Sequence, residues 1–201
     1  MERLIGFDRQ LLLAINHWTS PWADALMLKM SAVAFWFPLY LLVAVALFFP
    51  AAYSPRSLVG RKAASYSKRW LIGLAGIAAV VLCYLLADHV SDLVRNSVCR
   101  FRPGHDPEIG SLVRLIDGPG NLYGFFSGHA ANTVGFAVIT SLIFRCRAWT
   151  AFSLVWALLV CYSRMYLGRH FPLDVAAGIA CGALFAFAAY WLYKYLIRKI
   201  N

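Results

Sequence analysis

Apolar residues in this chain come in runs too long and too continuous for an ordinary soluble core. Met30 to Phe49, Trp70 to Leu86, Ala130 to Phe144, Trp149 to Tyr162 and Leu173 to Tyr193 carry few charges and are flanked by basic or turn-forming residues. About 20 apolar residues in a helix cross the hydrocarbon of a bilayer. Within that hydrocarbon every backbone N–H and C=O must be satisfied inside the segment, which leaves the helix as the conformation for such runs. Composition agrees: 61% of the 201 residues are hydrophobic, against roughly 45–50% in soluble domains. The predicted fold is all-α and polytopic. Five transmembrane helices form one membrane-embedded domain over residues 1–201.

The remaining segments fit that frame. Met1 to His17 alternates apolar and polar residues at helical spacing, with Leu4, Ile5, Leu11, Leu12 and Ile15 on one face and Glu2, Asp8 and Arg9 elsewhere. It reads as an amphipathic helix in the membrane interface, spanning residues 1–20. Ser20 before Pro21 caps a new helix. Pro38 is placed to kink the first span. The second span is expected to continue as helix through Asp88, His89, Asp92 and Arg95. Residues 100–126, rich in Gly and Pro, form a loop of a length that usually carries function.

The net charge of +10 is no sign of nucleic acid, because the basic residues cluster between apolar runs. With five spans, one side holds Arg56, Arg61, Lys62, Lys68, Arg69, Arg145, Arg147, Lys194, Arg198 and Lys199. Every lysine except Lys29 is there, which makes that side cytoplasmic. The arginines opposite, at 95, 100, 102, 114, 164 and 169, need a separate explanation. The five cysteines show no CxxC spacing and no His/Cys cluster, so neither a metal nor another cofactor is expected. The N-terminus has no compact apolar core or cleavage site of a signal peptide.

Three polar clusters fall on the non-cytoplasmic side. The first runs from Arg95 to Pro103. The second is Ser127-Gly128-His129, at the start of the third span. The third is Ser163 to Asp174, between the fourth and fifth. Ionisable groups at a bilayer edge are costly and are functional candidates by default. His170 and Asp174, four apart, share a face if one helix runs through both, and the carboxylate then orients the imidazole. The same stretch is also compatible with a polar helix boundary whose arginines snorkel. Ser127-Gly128-His129 offers free N–H groups and a helix dipole to an anion, and is equally an ordinary cap beside an interfacial histidine. Taken together the clusters assemble a phosphoryl-transfer site. Arg95, Arg102 and Arg164 neutralise a phosphate and its pentacoordinate transition state. His170 is the candidate nucleophile, and His129 the acid for the leaving oxygen.

This arrangement resembles the type-2 phosphatidic acid phosphatase superfamily, the lipid phosphate phosphatases that share a site with vanadium haloperoxidases. The family's first motif, Lys, six residues, Arg-Pro, reads here as Arg95 to Pro103. The second, Pro-Ser-Gly-His, reads Phe126-Ser127-Gly128-His129. The third, Ser-Arg, five residues, His, three residues, Asp, is matched in full by Ser163 to Asp174. The resemblance spans 95–174, the motif-bearing catalytic region. It implies His170 as the phosphorylated nucleophile with Asp174 as its partner, His129 as general acid, and Arg95, Arg102, Ser127, Gly128 and Arg164 as phosphate holders. Arg95 departs from lysine, keeping the charge with a different geometry. Phe126 departs from proline in the loop before His129.

The expected function is metal-independent hydrolysis of a lipid phosphate or diphosphate in the bacterial inner membrane, facing the periplasm or outer leaflet. The partners expected are the lipid substrate and surrounding membrane lipids, with no nucleic acid. A compact headgroup favours undecaprenyl diphosphate, with Tyr123, Phe125 and Phe126 along its tail. The rival substrates are lipid A, with Arg100 and Arg114 on its second phosphate, phosphatidylglycerophosphate and phosphatidate. A transporter or channel is the alternative of another class, but its charges would be spread through the bilayer and not gathered at one face. A catalytically dead lipid-binding relative would not keep His129, His170 and Asp174 intact.

Overall fold

The computed structural model describes residues 2–49 and 66–200. Among the described residues there are seven α-helices: α1 (Glu2–Asn16), α2 (Pro21–Ser31), α3 (Phe37–Leu47), α4 (Tyr66–Val98), α5 (Gly128–Phe144), α6 (Arg147–Tyr166) and α7 (Pro172–Ile200). The Trp70–Val98 part of α4, α6 and α7 are each long and apolar enough to cross a membrane, and α5 is a shorter apolar helix. At 1.5 Å per residue the 33 residues of α4 extend about 50 Å, beyond the roughly 30 Å of hydrocarbon. The helix continues through Asp88, His89, Asp92 and Arg95, as the sequence led us to expect. Of the basic connector, Arg56, Arg61 and Lys62 lie outside the described residues.

The first span is not the single kinked helix over Met30 to Phe49 that the sequence predicted. The chain breaks at Ala32, which is extended at φ −76°, ψ 112°, and α2 meets the Val33–Leu47 segment at a bend of 70°. Pro38 is not the kink. It sits in the first turn of α3, where its missing N–H costs nothing. The Trp36 indole donates to the Met30 carbonyl at 3.0 Å, taking up a group the break leaves free.

α5 is the central helix, packed against α4, α6 and α7. Small residues let it approach α7 closely, as helices in lipid commonly do. A Cβ on Gly178 would lie 2.5 Å from the Ser127 carbonyl oxygen, and one on Gly182 would strike the backbone of Ala131. This crossing places the start of α5 against the start of α7, where the second and third motifs sit.

α1 turns its polar side inward. Asp8, Leu12 and Asn16, spaced i, i+4, i+8, are its buried residues, while Leu4, Ile5, Phe7 and Leu11 are exposed. An amphipathic helix in the membrane interface, the expectation from the sequence, turns its apolar side to lipid but names no partner for the side that carries Asp8. The burial of Asp8 and Asn16 has a physical reason: α1 packs on α6 and α7, whose polar turns supply partners for them, whereas its apolar side needs only lipid.

Candidate active site

The turn between α6 and α7 is built around the Arg164 carbonyl, which accepts the N–H groups of Arg169 at 2.9 Å and His170 at 3.3 Å. Gly168 makes the reversal with φ +70°, a left-handed conformation that is costless for glycine. α7 begins at Pro172, so His170 lies before the helix and not on it. The expected shared helical face is thus replaced by a turn. Asp174 Oδ2 accepts the Phe171 N–H at 3.0 Å, curling the turn back so that His170 Nδ1 stands 3.8 Å from that oxygen. His170 is 2% exposed. Its Nδ1 is buried without a hydrogen-bond partner, poised beside the carboxylate at ion-pair range.

The other motifs converge on this turn. Ser127 caps α5, its Oγ accepting the Ala130 N–H at 3.4 Å, and its own N–H donates to the Asp174 carbonyl at 3.0 Å. That bond ties the second motif to the third. The loop after α4 closes on itself through a bridge between Phe101 and Tyr123, with the Arg102 N–H on the Leu122 carbonyl at 3.0 Å. The Arg102 side chain donates from Nε to the Tyr123 carbonyl at 3.0 Å. It then passes under Gly124, where a Cβ would meet its Cγ at 2.9 Å. Arg95 is paired with Asp92 at 2.6 Å, and its Nη2 lies 3.7 Å from where a Cβ of Gly128 would stand.

Arg102, His129 and Arg164 line one cavity of about 510 Å³, together with Ser31 and Ala32 at the helix break, Asp117, Gly120, Asn121 and Arg169. Arg164 bonds Ser31 through Nη1, and its Nε is buried without a partner. Arg169 is held by Asp117 at 2.7 Å. Cations gathered at one place with few carboxylates form an anion site. Their mutual repulsion shows in the titration of the groups. Burial, then Arg95 and Arg169, push Arg102 down to about 10. Burial, followed by Arg102, Arg164 and Arg95, holds His170 well below the usual imidazole value. His170 is therefore neutral at pH 7, the form in which a ring nitrogen can attack phosphorus.

Every residue singled out from the sequence is in this region, but three secondary expectations fail. Arg100 and Arg114 do not reach out toward a ligand: Arg100 is bonded to Asp8 and Asp174, and Arg114 to Asp24 at 2.7 Å. Phe126 is 2% exposed and packs with Ala87 and Ala131, so it is no contact for a lipid tail. Packing decides this position, since the residue before the α5 cap is pressed against α4. Sequence reasoning missed Asp8, Ser31, Asp117, Asn121 and the place of Arg169. Only the spacing of Asp8, Leu12 and Asn16 carried any signal, and it was masked by the stronger apolar stripe beside it.

The sequence profile of the PAP2 superfamily matches residues 76–198. A lipid A 4'-phosphatase of Porphyromonas gingivalis is 33% identical over 97% of this chain and 76% of its own length. A lipid A 4'-phosphatase of Bacteroides thetaiotaomicron is 31% identical over 100% and 81%. An undecaprenyl-diphosphatase of Sulfolobus acidocaldarius is 28% identical over 54% of this chain and 50% of its own. A crystal structure of a transmembrane PAP2-type phosphatidylglycerolphosphate phosphatase from Bacillus subtilis has the same fold, with TM-score 0.68 and 21% identity over 100% of this chain and 89% of that one. With its three motifs gathered at one end of a helical membrane bundle, this chain belongs to the PAP2 superfamily and is a membrane lipid phosphatase.

Proposed function

We propose that this protein removes a phosphate from a lipid A-type glycolipid at the outer face of the bacterial inner membrane, through a phosphohistidine on His170. The observation that carries the chemistry is the convergence of Arg102, His129 and Arg164 on one cavity beside the His170 turn. His170 faces Asp174 with Nδ1, which leaves Nε2 to attack phosphorus. The bond from phosphorus to the lipid oxygen breaks as the bond to Nε2 forms, and His129 gives that oxygen its proton. Water then attacks the phosphohistidine, His129 takes its proton, and phosphate leaves. Arg95, Arg102, Arg164 and the N–H groups at the start of α5 hold the equatorial oxygens, where charge accumulates in the transition state. Arginines supply all the positive charge this scheme requires, with no metal ion.

The substrate reading departs from undecaprenyl diphosphate, the expectation drawn from headgroup size. Support for lipid A comes from relatives matched over nearly the whole chain, whereas the diphosphatase relative matches about half. The cavity mouth also offers Asp117 and Asn121, hydrogen-bonding groups suited to sugar hydroxyls. The test is kcat/KM for bisphosphorylated lipid A, undecaprenyl diphosphate, phosphatidylglycerophosphate and phosphatidate in one detergent containing EDTA. It is paired with phosphate release outside sealed right-side-out vesicles. Lipid A should lead by about tenfold or more, the scale on which pocket contacts discriminate. A comparable lead for undecaprenyl diphosphate would overturn the substrate assignment, and release only after the vesicles are opened would overturn the orientation.

A further inference from the structure

Asp8 belongs to none of the motifs, yet it is among the most buried charges in the molecule at 1% exposure. One of its oxygens accepts from Arg100. The other accepts the backbone N–H of Leu173 at 2.9 Å. Arg100 crosses the Phe171 ring at 4.5 Å from its centroid, and its Nη1 donates to Asp174 Oδ1 at 2.6 Å. The second oxygen of Asp174 takes the Phe171 N–H and faces His170. A continuous chain of contacts thus runs from the N-terminal helix through Arg100 to the carboxylate beside the nucleophile.

We propose that Asp8, acting through Arg100, is a positioning residue for the Asp174–His170 pair. The inference rests on the reading of His170 as nucleophile. Two carboxylates share one guanidinium, so the Asp8–Arg100–Asp174 trio keeps one net negative charge that offsets part of the field of Arg95, Arg102 and Arg164 at His170. The imidazole gains positive charge once Nε2 bonds to phosphorus, and that residual charge stabilises it. With Asp8 neutralised, Arg100 pairs with Asp174 alone and quenches the charge His170 depends on. Asp8 and Asp174 also accept two backbone N–H groups at the start of α7, donors the helix leaves free, and so grip the turn from both sides. Neither Asp8 nor Arg100 lines the cavity that contains Arg102, Arg164 and Arg169. The chemical step should therefore respond to Asp8 while anion binding does not.

The experiment uses the full-length protein in detergent and two readouts. One is turnover of lipid A. The other is loss of ¹⁸O from labelled inorganic phosphate, which needs no lipid: His170 displaces one oxygen as water while the P–N bond forms, and unlabelled water reverses the step. Asp8→Asn should slow both by about tenfold or more, with KM and inhibition by inorganic phosphate within about twofold of wild type. Asp8→Glu should recover part of the loss. Arg100→Met takes away the N–H that fixes Asp174 Oδ1, so it should be slow through lost positioning, and Asp8→Asn should add nothing in that background, as expected of residues acting in one chain. Arg9→Met removes the pair of the same helix with Asp106 at 3.0 Å and should leave both rates near wild type. Wild-type exchange in Asp8→Asn, an equal loss in Arg9→Met, or multiplying effects of Asp8→Asn and Arg100→Met would overturn the inference. Wild-type protein that exchanges phosphate oxygen but leaves lipid A intact would instead overturn the substrate reading alone.

Discussion

α1 and α3 are both peripheral helices, and they are held in opposite ways. α3 is packed by Val43 and Leu47 in an apolar cluster with Ile72, Ala75 and Ala79 of α4. α1 has one deeply buried apolar anchor, Leu12 against Ile109, Val113 and Phe171, and is otherwise docked by polar groups. Asn16 donates to the Tyr166 carbonyl at 2.8 Å and the Arg114 carbonyl at 2.9 Å, and accepts the Arg114 N–H at 2.8 Å. His17 bonds the Leu112 carbonyl at 2.9 Å, and Arg9 and Asp8 complete the seam. Lipid tails are as apolar as leucine, so apolar contact inside a bilayer gains packing but little hydrophobic drive. Polar docking is more selective, because an unpaired group left behind in an apolar setting is costly. Of the two, the helix beside the α6–α7 turn is thus the more strictly placed.

This contrast can be broken or sharpened by measurement. The largest effect belongs to the site itself. His170→Ala should lower kcat by at least about a thousandfold, as removal of a nucleophile does, while the protein stays folded in detergent. Acid quenching of wild-type turnover should trap phosphate on the protein, and residual activity near wild type in the variant would refute the role of His170. Next, Asn16→Ala strips three partners at once and should destabilise by about 1–3 kcal/mol. It should loosen the 112–116 segment in hydrogen exchange, and a neutral result would mean the polar seam is not what docks α1.

The pH dependence comes third. His170 is held below its usual value by burial and by Arg102, Arg164 and Arg95. Below about pH 6.5, the unfolded value, the unfolded chain binds a proton that the folded site refuses. Stability is then present above that pH and is lost on acidification toward the folded value, by up to about 1.4 kcal/mol per pH unit. His170→Gln should flatten the difference, and identical pH curves for the two proteins would contradict the burial argument. The smallest effect is expected at the apolar end. Ile143→Val, in the cluster that also holds α3, should cost about 0.5–1.5 kcal/mol and leave kcat unchanged. A larger cost there than for Asn16→Ala would reverse the comparison.

Much of the fold was legible because the bilayer forces its pattern onto the sequence. Each predicted apolar run lies in a helix or in the broken α2–α3 pair, and the motif spacings announced where charged side chains would gather. The break at Ala32 was not legible, since Pro38 offered a stronger local signal and neither Trp36 nor Ser31 advertises its partner. The inward face of α1 was not legible for a related reason. An apolar stripe beside a polar one identifies an amphipathic helix, but which stripe meets protein depends on whether the other meets water or lipid.

By itself, then, the sequence determined that the chain is a helical membrane protein of the PAP2 superfamily, and it marked His129, His170, Asp174 and the arginines as the candidates for its phosphate chemistry. Hydrophobicity and motif spacing are local properties and can be read locally. Only the tertiary structure decided that Arg100 is spent between Asp8 and Asp174, that Phe126 is core, and that the N-terminal helix reaches the turn carrying His170. Partners 92 residues apart in Asp8 and Arg100, and 150 apart in Asn16 and Tyr166, are chosen by how the helices cross. Here the crossing depends on Gly178 and Gly182 admitting the backbone of α5.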